Sequence, residues 1–226
     1  MTLLRIGTRG SDLALVQTRM VCSLIQAAHP DVRFQEIIIR THGDKATHQP
    51  FDIHWPAGGF TGAIEQALLR GEIDLAVHSY KDLPTAITPG LIVAAVPPRD
   101  ALHDVLVSDG QVDLAALPPG YRIGSSSPRR AAQFRYFCSG VTVHSLRGNV
   151  PTRLAKLEDG ELDAVVLAAA GLRRLHIEPE YSIDLPVERF VPAPAQGALA
   201  VQVREGSDAE KFVAPIDHVE SRLAVD

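Results

Sequence analysis

Residues 122–130 read Arg122-Ile123-Gly124-Ser125-Ser126-Ser127-Pro128-Arg129-Arg130. A short run closing on Gly124 leads into three hydroxyl residues, then into a proline where a helix would begin. Proline suits the first helical position because its φ is already helical and its missing N–H would have no partner there. The stretch therefore predicts strand, loop, helix, and the same grammar recurs on both sides of it. Upstream, Leu3 to Gly7 predicts a strand, and Ser11 or Asp12 caps a helix whose apolar positions Leu13, Val16, Met20, Leu24 and Ala27 recur at helical spacing. Phe34 to Arg40 predicts a strand, residues 41–58 a loop, Ala63 to Leu69 a helix, and Asp74 to Val77 and Gly90 to Val96 strands. Beyond the double proline Pro97-Pro98, Val105 to Ser108 predicts a strand and Leu114 to Leu117 a short helical turn. Past the quoted stretch come strands at Val141 to Leu146, Ala164 to Ala168 and Ala198 to Val203, helices at Pro151 to Leu157 and Ala169 to Leu175, and a final amphipathic helix from about Ser207. No internal repeat is visible.

Strand and helix in alternation argue for open α/β sheets with a parallel majority. Two such sheets joined by proline-containing crossings would leave a cleft between them. Ligands of these sheets sit at the carboxyl ends of strands, so the loops that follow strands are where chemistry is sought.

Composition narrows the function classes. The 226 residues carry 22 basic and 27 acidic side chains, a net charge of −5, which gives no global attraction to nucleic acid or an anionic membrane. The longest uncharged apolar run, Ala164 to Leu172, is too short to span a bilayer. Met1-Thr2-Leu3-Leu4-Arg5-Ile6 lacks the basic start and long apolar core of a leader. Cys22 and Cys138 are the only cysteines and read as reduced thiols, so a cytoplasmic protein is expected. The nine histidines show no metal-ligand spacing, and no metal is expected.

Only Lys45, Lys81, Lys156 and Lys211 are lysines, so 18 of the 22 basic residues are arginine, whose planar fork grips carboxylates bidentately. Where the arginines fall is informative. Gly7-Thr8-Arg9-Gly10-Ser11 joins a strand end to a helix start, a setting that suits an anion. His78-Ser79-Tyr80-Lys81-Asp82 follows a buried strand, and its Lys81–Asp82 pair reads either as a surface ion pair or as an acid/base carboxylate with its neighbour. Arg129 and Arg130 crowd like charges at the positive end of a helix dipole, which a bound anion would offset unless both point to water. Arg147-Gly148-Asn149 and Arg153 repeat the pattern, and Arg174 follows the strand at 164–168. Together these loops predict a cleft for a ligand rich in carboxylates or phosphates.

The segments Arg9-Gly10-Ser11, Thr41-His42-Gly43-Asp44, Asp74 to Pro84, Gly124 to Arg130, Leu146 to Leu154 and Pro194-Ala195-Gln196-Gly197-Ala198 occur in one order along nearly the whole chain. As a set they resemble the porphobilinogen deaminase, or hydroxymethylbilane synthase, family. The resemblance implies a transferase that condenses porphobilinogen units into a linear tetrapyrrole with release of ammonia. It implies Asp82 as the catalytic carboxylate. It implies Arg9, Arg129, Arg130, Arg147, Arg153 and Arg174 as ligands of the acetate and propionate groups, with Ser11, Ser79, Lys81, Ser125, Ser126, Ser127, Asn149 and Gln196 in support. The fold implied is α/β and two-lobed, type II periplasmic-binding-protein-like, with mixed, mostly parallel sheets. Residues 1–97 with 197–226 form the lobe of the Asp loop, and residues 98–196 the arginine-rich lobe.

The family pattern continues past Asp226 into a third domain, whose Gly-Gly-Cys loop holds a dipyrromethane cofactor by a thioether. Neither Cys22 nor Cys138 matches that loop, so the expectation is that the attachment cysteine is absent, with a separate chain supplying the missing domain or the protein acting as a monomer. Ala57-Gly58-Gly59-Phe60-Thr61-Gly62-Ala63 stands where the family carries two lysines. Two other readings remain open: a non-catalytic paralogue that binds a pyrrole or another polyacid, and a solute-binding domain of the same two-lobed build.

Overall fold

The computed structural model describes residues 1–41, 59 and 61–225. The predicted loop at 42–58, with Trp55, and Phe60 lie outside the described residues. In chain order the elements are β1 (Thr2–Thr8), α1 (Asp12–Ala28), β2 (Val32–Ile38), α2 (Gly62–Leu69), β3 (Leu75–Ser79), β4 (Leu91–Ala95), β5 (Asp104–Ser108), β6 (Arg122–Gly124), α3 (Pro128–Phe137), β7 (Thr142–His144), α4 (Val150–Glu158), β8 (Ala164–Ala168), α5 (Ala169–Arg174), β9 (Ser182–Asp184), β10 (Leu199–Arg204), α6 (Ala209–Val213) and α7 (Val219–Leu223). They divide into two compact units, one from residues 1–41, 61–100 and 197–225, the other from residues 101–196.

The first unit is built on a five-stranded sheet in the order β2-β1-β3-β10-β4. Strands β2, β1 and β3 run parallel, β10 opposes both its neighbours, and β4 therefore points with the first three. One face packs Leu4, Ile6, Leu75, Val77 and Val201 against Val21 and Ile25 of α1. The other packs Ala76 and Leu91 against Ile64 and Leu68 of α2. Val77 and Ala76 part to opposite faces because side chains alternate along a strand.

The second unit repeats the plan. Its sheet runs β7-β6-β8-β5-β9, with β7, β6 and β8 parallel and β5 reversed between β8 and β9. Leu106, Ile123 and Val166 pack against Phe134 of α3 and Phe190. Val105, Val165 and Leu167 pack against Leu157 of α4 and Leu172 of α5. A shared ion pair marks the repeat: Arg5 in β1 bonds Asp74 just before β3, and Arg122 in β6 bonds Asp163 just before β8, each with reciprocal main-chain bonding. In each sheet the reversed strand is the one the chain enters directly from the other unit.

The C-terminal segment departs from expectation. It is not one helix: α6 ends at Val213, a 3₁₀ turn spans Ala214–Ile216, and α7 follows. Pro215 accounts for the break, since it lacks the N–H that a continuing helix needs and crowds the preceding turn. The 3₁₀ turn Tyr80–Asp82 and the edge strand β9 were not predicted.

Candidate active site

Strands β1 and β3 are parallel neighbours, with Ile6 opposite Leu75 and Gly7 opposite Ala76. Their carboxyl ends therefore lie side by side, and the loops that follow them meet. Between these loops opens a small cavity of about 70 Å³, open to solvent, whose polar lining includes Arg9, Ser11, Gln17, Thr61, Ser79 and Asp82. Ser11 caps α1, its hydroxyl accepting from the Ala14 N–H at 3.4 Å. Ser79 ends β3 and is held by the Gln17 amide, whose Nε2 donates to its Oγ at 3.1 Å. Asp82 ends the 3₁₀ turn, which the Leu83 N–H closes onto the Tyr80 carbonyl, and its side chain is exposed. Lys81 in the same turn is exposed as well. Thus Arg9, Ser11, Ser79 and Asp82, chosen from separate segments, come together at one cavity.

His78 also lines this cavity and is buried. Its Nε2 lies 3.2 Å from Gln202 Oε1, and the Gln202 amide donates to Glu65 Oε1 at 3.0 Å. Because the amide nitrogen is committed to a carboxylate, its oxygen is left to accept, which places the imidazole proton on Nε2. Burial pushes His78 down to about 4, and the charge of Arg9 adds to the shift against the opposing bond from Gln202. The ring is therefore neutral at physiological pH.

In the second unit the loop after β6 is organised by Asp104, whose side chain is 1 % exposed. Arg130 grips it with two bonds, Nε to Oδ2 at 3.1 Å and Nη2 to Oδ1 at 2.6 Å. Arg129 Nη2 donates to Oδ2 at 2.9 Å, and Gln196 Nε2 to Oδ1 at 2.8 Å. Burial raises the Asp104 carboxyl, but the hydrogen bond and charge of Arg130, the charge of Arg129 and the Gln196 amide outweigh it and hold it below the usual range. The offset that two adjacent arginines require comes from this carboxylate. Arg130 is buried and gives a further N–H to the Val166 carbonyl at 2.9 Å, whereas Arg129 keeps partial exposure.

The neighbouring loops present the other expected groups. Ser127 caps α3, accepting from the Arg130 N–H at 3.4 Å, and Ser125 Oγ accepts from the Ser127 N–H. Ser126 donates to the Leu146 carbonyl at 2.8 Å, tying the loop after β6 to the loop after β7. Asn149 caps α4 and accepts from the Thr152 N–H at 2.9 Å. Gly148, at φ +111°, makes the turn, and Arg153 Nε donates to its carbonyl at 2.8 Å. Arg147 and Arg153 are partly exposed and Arg174 is buried. No group of three or more metal-ligating side chains exists among the described residues.

A family model described as porphobilinogen deaminase, dipyromethane cofactor binding domain, matches residues 4–211. The chain belongs to the porphobilinogen deaminase family. A porphobilinogen deaminase of Roseiflexus castenholzii is 44 % identical over 98 % of this chain and 74 % of its own length. That of Mycobacterium leprae is 44 % identical over 99 % of this chain and 70 % of its own. Family membership places the chain among transferases of porphyrin and heme biosynthesis and brings the dipyrromethane-binding domain with it. An ancestral cationic amino acid solute binding protein superposes with a TM-score of 0.57 at 14 % identity, over 94 % of this chain and 87 % of that one. At that identity the likeness concerns the fold, which is the type II periplasmic-binding-protein-like architecture expected. No helix among the described residues is long and apolar enough to cross a membrane.

Four residues at or behind the sites carry no functional signal in the sequence: Gln17, Thr61, Asp104 and Gln202. Gln17 is a buried polar residue of α1 whose amide reaches Ser79 at the end of β3, a contact that no local spacing announces. Asp104 opens a buried strand with an apolar centre, Val105 to Val107, and a lone acid at that place is the signal that could have found it.

Proposed function

We propose that the chain is a hydroxymethylbilane synthase-like transferase, condensing porphobilinogen units into a linear tetrapyrrole with release of ammonia. One observation carries the reading: Asp82 shares a cavity with Arg9, Ser11 and Ser79. A pyrrole bearing carboxylates and an aminomethyl group can offer its acids to the guanidinium and hydroxyls and its ring N–H to Asp82. The aminomethyl nitrogen is an ammonium at neutral pH. When its C–N bond breaks, the electron pair leaves with ammonia and the positive charge passes to the pyrrole as an azafulvene cation. A carboxylate fixed beside the ring stabilises that charge as it develops, which is where electrostatic catalysis is most effective. The methylene carbon is then attacked by the α-carbon of an acceptor pyrrole. A C–C bond forms, and the displaced ring proton goes to Asp82 and on to water.

Arg129, Arg147, Arg153 and Arg174, with Ser125, Ser126, Ser127 and Asn149, take carboxylates of the growing chain. Arg130 and Gln196 act through Asp104 to aim Arg129. This donor set, cationic and hydroxylic on successive strand ends, fits the acidic side chains of a dipyrromethane. Bound there, that group would supply the nucleophilic pyrrole carbon. Neither thiol suits its attachment: burial pushes Cys22 up to about 12 and Cys138 upward, so both are protonated.

The test is incubation of the purified chain with porphobilinogen. Ammonia and product, read as uroporphyrin absorbance after oxidation, are followed together with intact mass. Ammonia, product and a mass gain in pyrrole units outside Cys22 and Cys138 support the proposal. Saturable binding without ammonia turns the assignment to the non-catalytic polyacid-binding paralogue.

A further inference from the structure

Thr61 stands immediately before α2 and lines the same cavity as Arg9, Ser11 and Asp82. It is fully buried at 0 % exposure, and its Oγ1 has no hydrogen-bond partner among the described residues. Its position is that of a helix cap, yet it does not cap. Ser11, Ser127 and Asn149 hold extended backbone and accept from an N–H of the first turn, whereas Thr61 has φ −119° and ψ −31° and makes no side-chain cap bond. A buried hydroxyl with no partner among the described residues destabilises the ligand-free protein, and valine would fill the same space without that cost.

We propose that Thr61 contacts the ligand, its hydroxyl donating a hydrogen bond to a carboxylate of the pyrrole bound in this cavity. The inference rests on the reading of the cavity as a site for a carboxylate-bearing pyrrole. The surroundings select a carboxylate. Arg9 brings a guanidinium, and the N-termini of α1 and α2 both bring the positive ends of their helix dipoles. Glu65, the acid in the first turn of α2, has an oxygen already engaged by the Gln202 amide. Asp82 is the one acid among the described residues of the lining, and the ring N–H and developing cation are its partners in the proposed reaction. A hydroxyl donor in the same lining as these positive groups completes an anion subsite.

The experiment compares the wild-type chain with Thr61→Val and Thr61→Ser. Thermal unfolding is measured alongside binding of porphobilinogen and of its dimethyl ester by calorimetry. Thr61→Val is expected to keep or raise Tm, because an unpartnered group is removed, while weakening porphobilinogen about tenfold or more. Thr61→Ser restores affinity to within about twofold of wild type, since it keeps the hydroxyl. The ester, having no charged oxygen to accept, is weakened far less by Thr61→Val than the free acid. Unchanged porphobilinogen affinity in Thr61→Val overturns the proposal, as does an equal penalty on acid and ester. A marked fall in Tm does so too, because it reveals a protein partner for the hydroxyl. A wild-type chain that fails to bind porphobilinogen at all overturns instead the reading of the cavity on which this one stands.

Discussion

Asp104→Asn puts the electrostatic design of the second unit to a quantitative test. The substitution keeps shape and volume but removes the carboxylate that Arg130 and Arg129 share, and it turns an –NH₂ donor toward other donors. Arg130 is 9 % exposed and Asp104 1 %, so water cannot replace the lost charge. Removing one partner of a buried ion pair costs about 3–5 kcal/mol, nearly all of it here through Arg130, since Arg129 is a quarter exposed and screened. For a chain of this size that corresponds to a Tm lower by roughly 6–20 °C. Urea unfolding followed by circular dichroism across pH supplies the check. The folded Asp104 carboxyl is held below its unfolded value of 3.8, so its contribution is complete above that value and is lost as pH falls through the lower, folded one. The gap between wild type and variant should therefore be constant from about pH 5 to 8 and close only below about pH 4. A variant within about 1 kcal/mol of wild type at pH 7, or a gap already closing at pH 6, would refute the assignment of Asp104 as the counter-charge.

Other expectations concern single groups. His78 sits at about 4 when folded against 6.5 when free, so the unfolded state binds more protons between those values, and stability should fall by about 3 kcal/mol as pH drops from 7 to 4. His78→Gln should flatten that limb in urea titrations, and an unchanged limb would mean the ring titrates normally. Gly148 combines φ +111° with a Cβ that would lie 2.8 Å from Thr152 Cγ2, so Gly148→Ala should cost about 1–2 kcal/mol and weaken binding of carboxylate ligands. Unfolding and calorimetry on that variant measure both, and wild-type values in each would show that Arg147 and Asn149 do not depend on the turn. Both thiols should resist iodoacetamide at pH 8 and react fully in urea, as mass spectrometry will read; labelling of native Cys22 would contradict its burial.

Strand–loop–helix units were the legible part of this sequence because they are written in local chemistry. Pro128 at the start of α3, Ser11 capping α1 and the apolar run of β8 each fix structure through neighbours only a few residues away. The reversed strands β5 and β10 were not legible, since direction is set by which sheet a strand joins after the chain crosses between units, and its own residues alternate the same way in either direction. The C-terminal break was present as Pro215 but lay under an amphipathic pattern that continued past it.

The site divides along the same line. Arg9, Ser79 and Asp82 could be found because each directly follows a strand, and parallel neighbours bring such loops together. Asp104, 25 and 26 residues from its arginine partners, could not, because β5 contributes it from across the sheet. A like-charge pair in sequence signals only that an anion is needed, and a carboxylate of the chain itself satisfies that need as well as a ligand does. Thr61 and Gln202 were silent for a related reason: their roles depend on which groups lack or hold partners in three dimensions.

Single-turnover ammonia release tests the role of the carboxylate at position 82 most directly. The wild-type chain mixed with porphobilinogen should release ammonia, while Asp82→Asn should bind the same ligand within a few-fold of wild type and release it at least about a hundredfold more slowly, the loss expected of a group that stabilises charge only as the C–N bond breaks. Ammonia appearing from Asp82→Asn at the wild-type rate would contradict the role given to that residue.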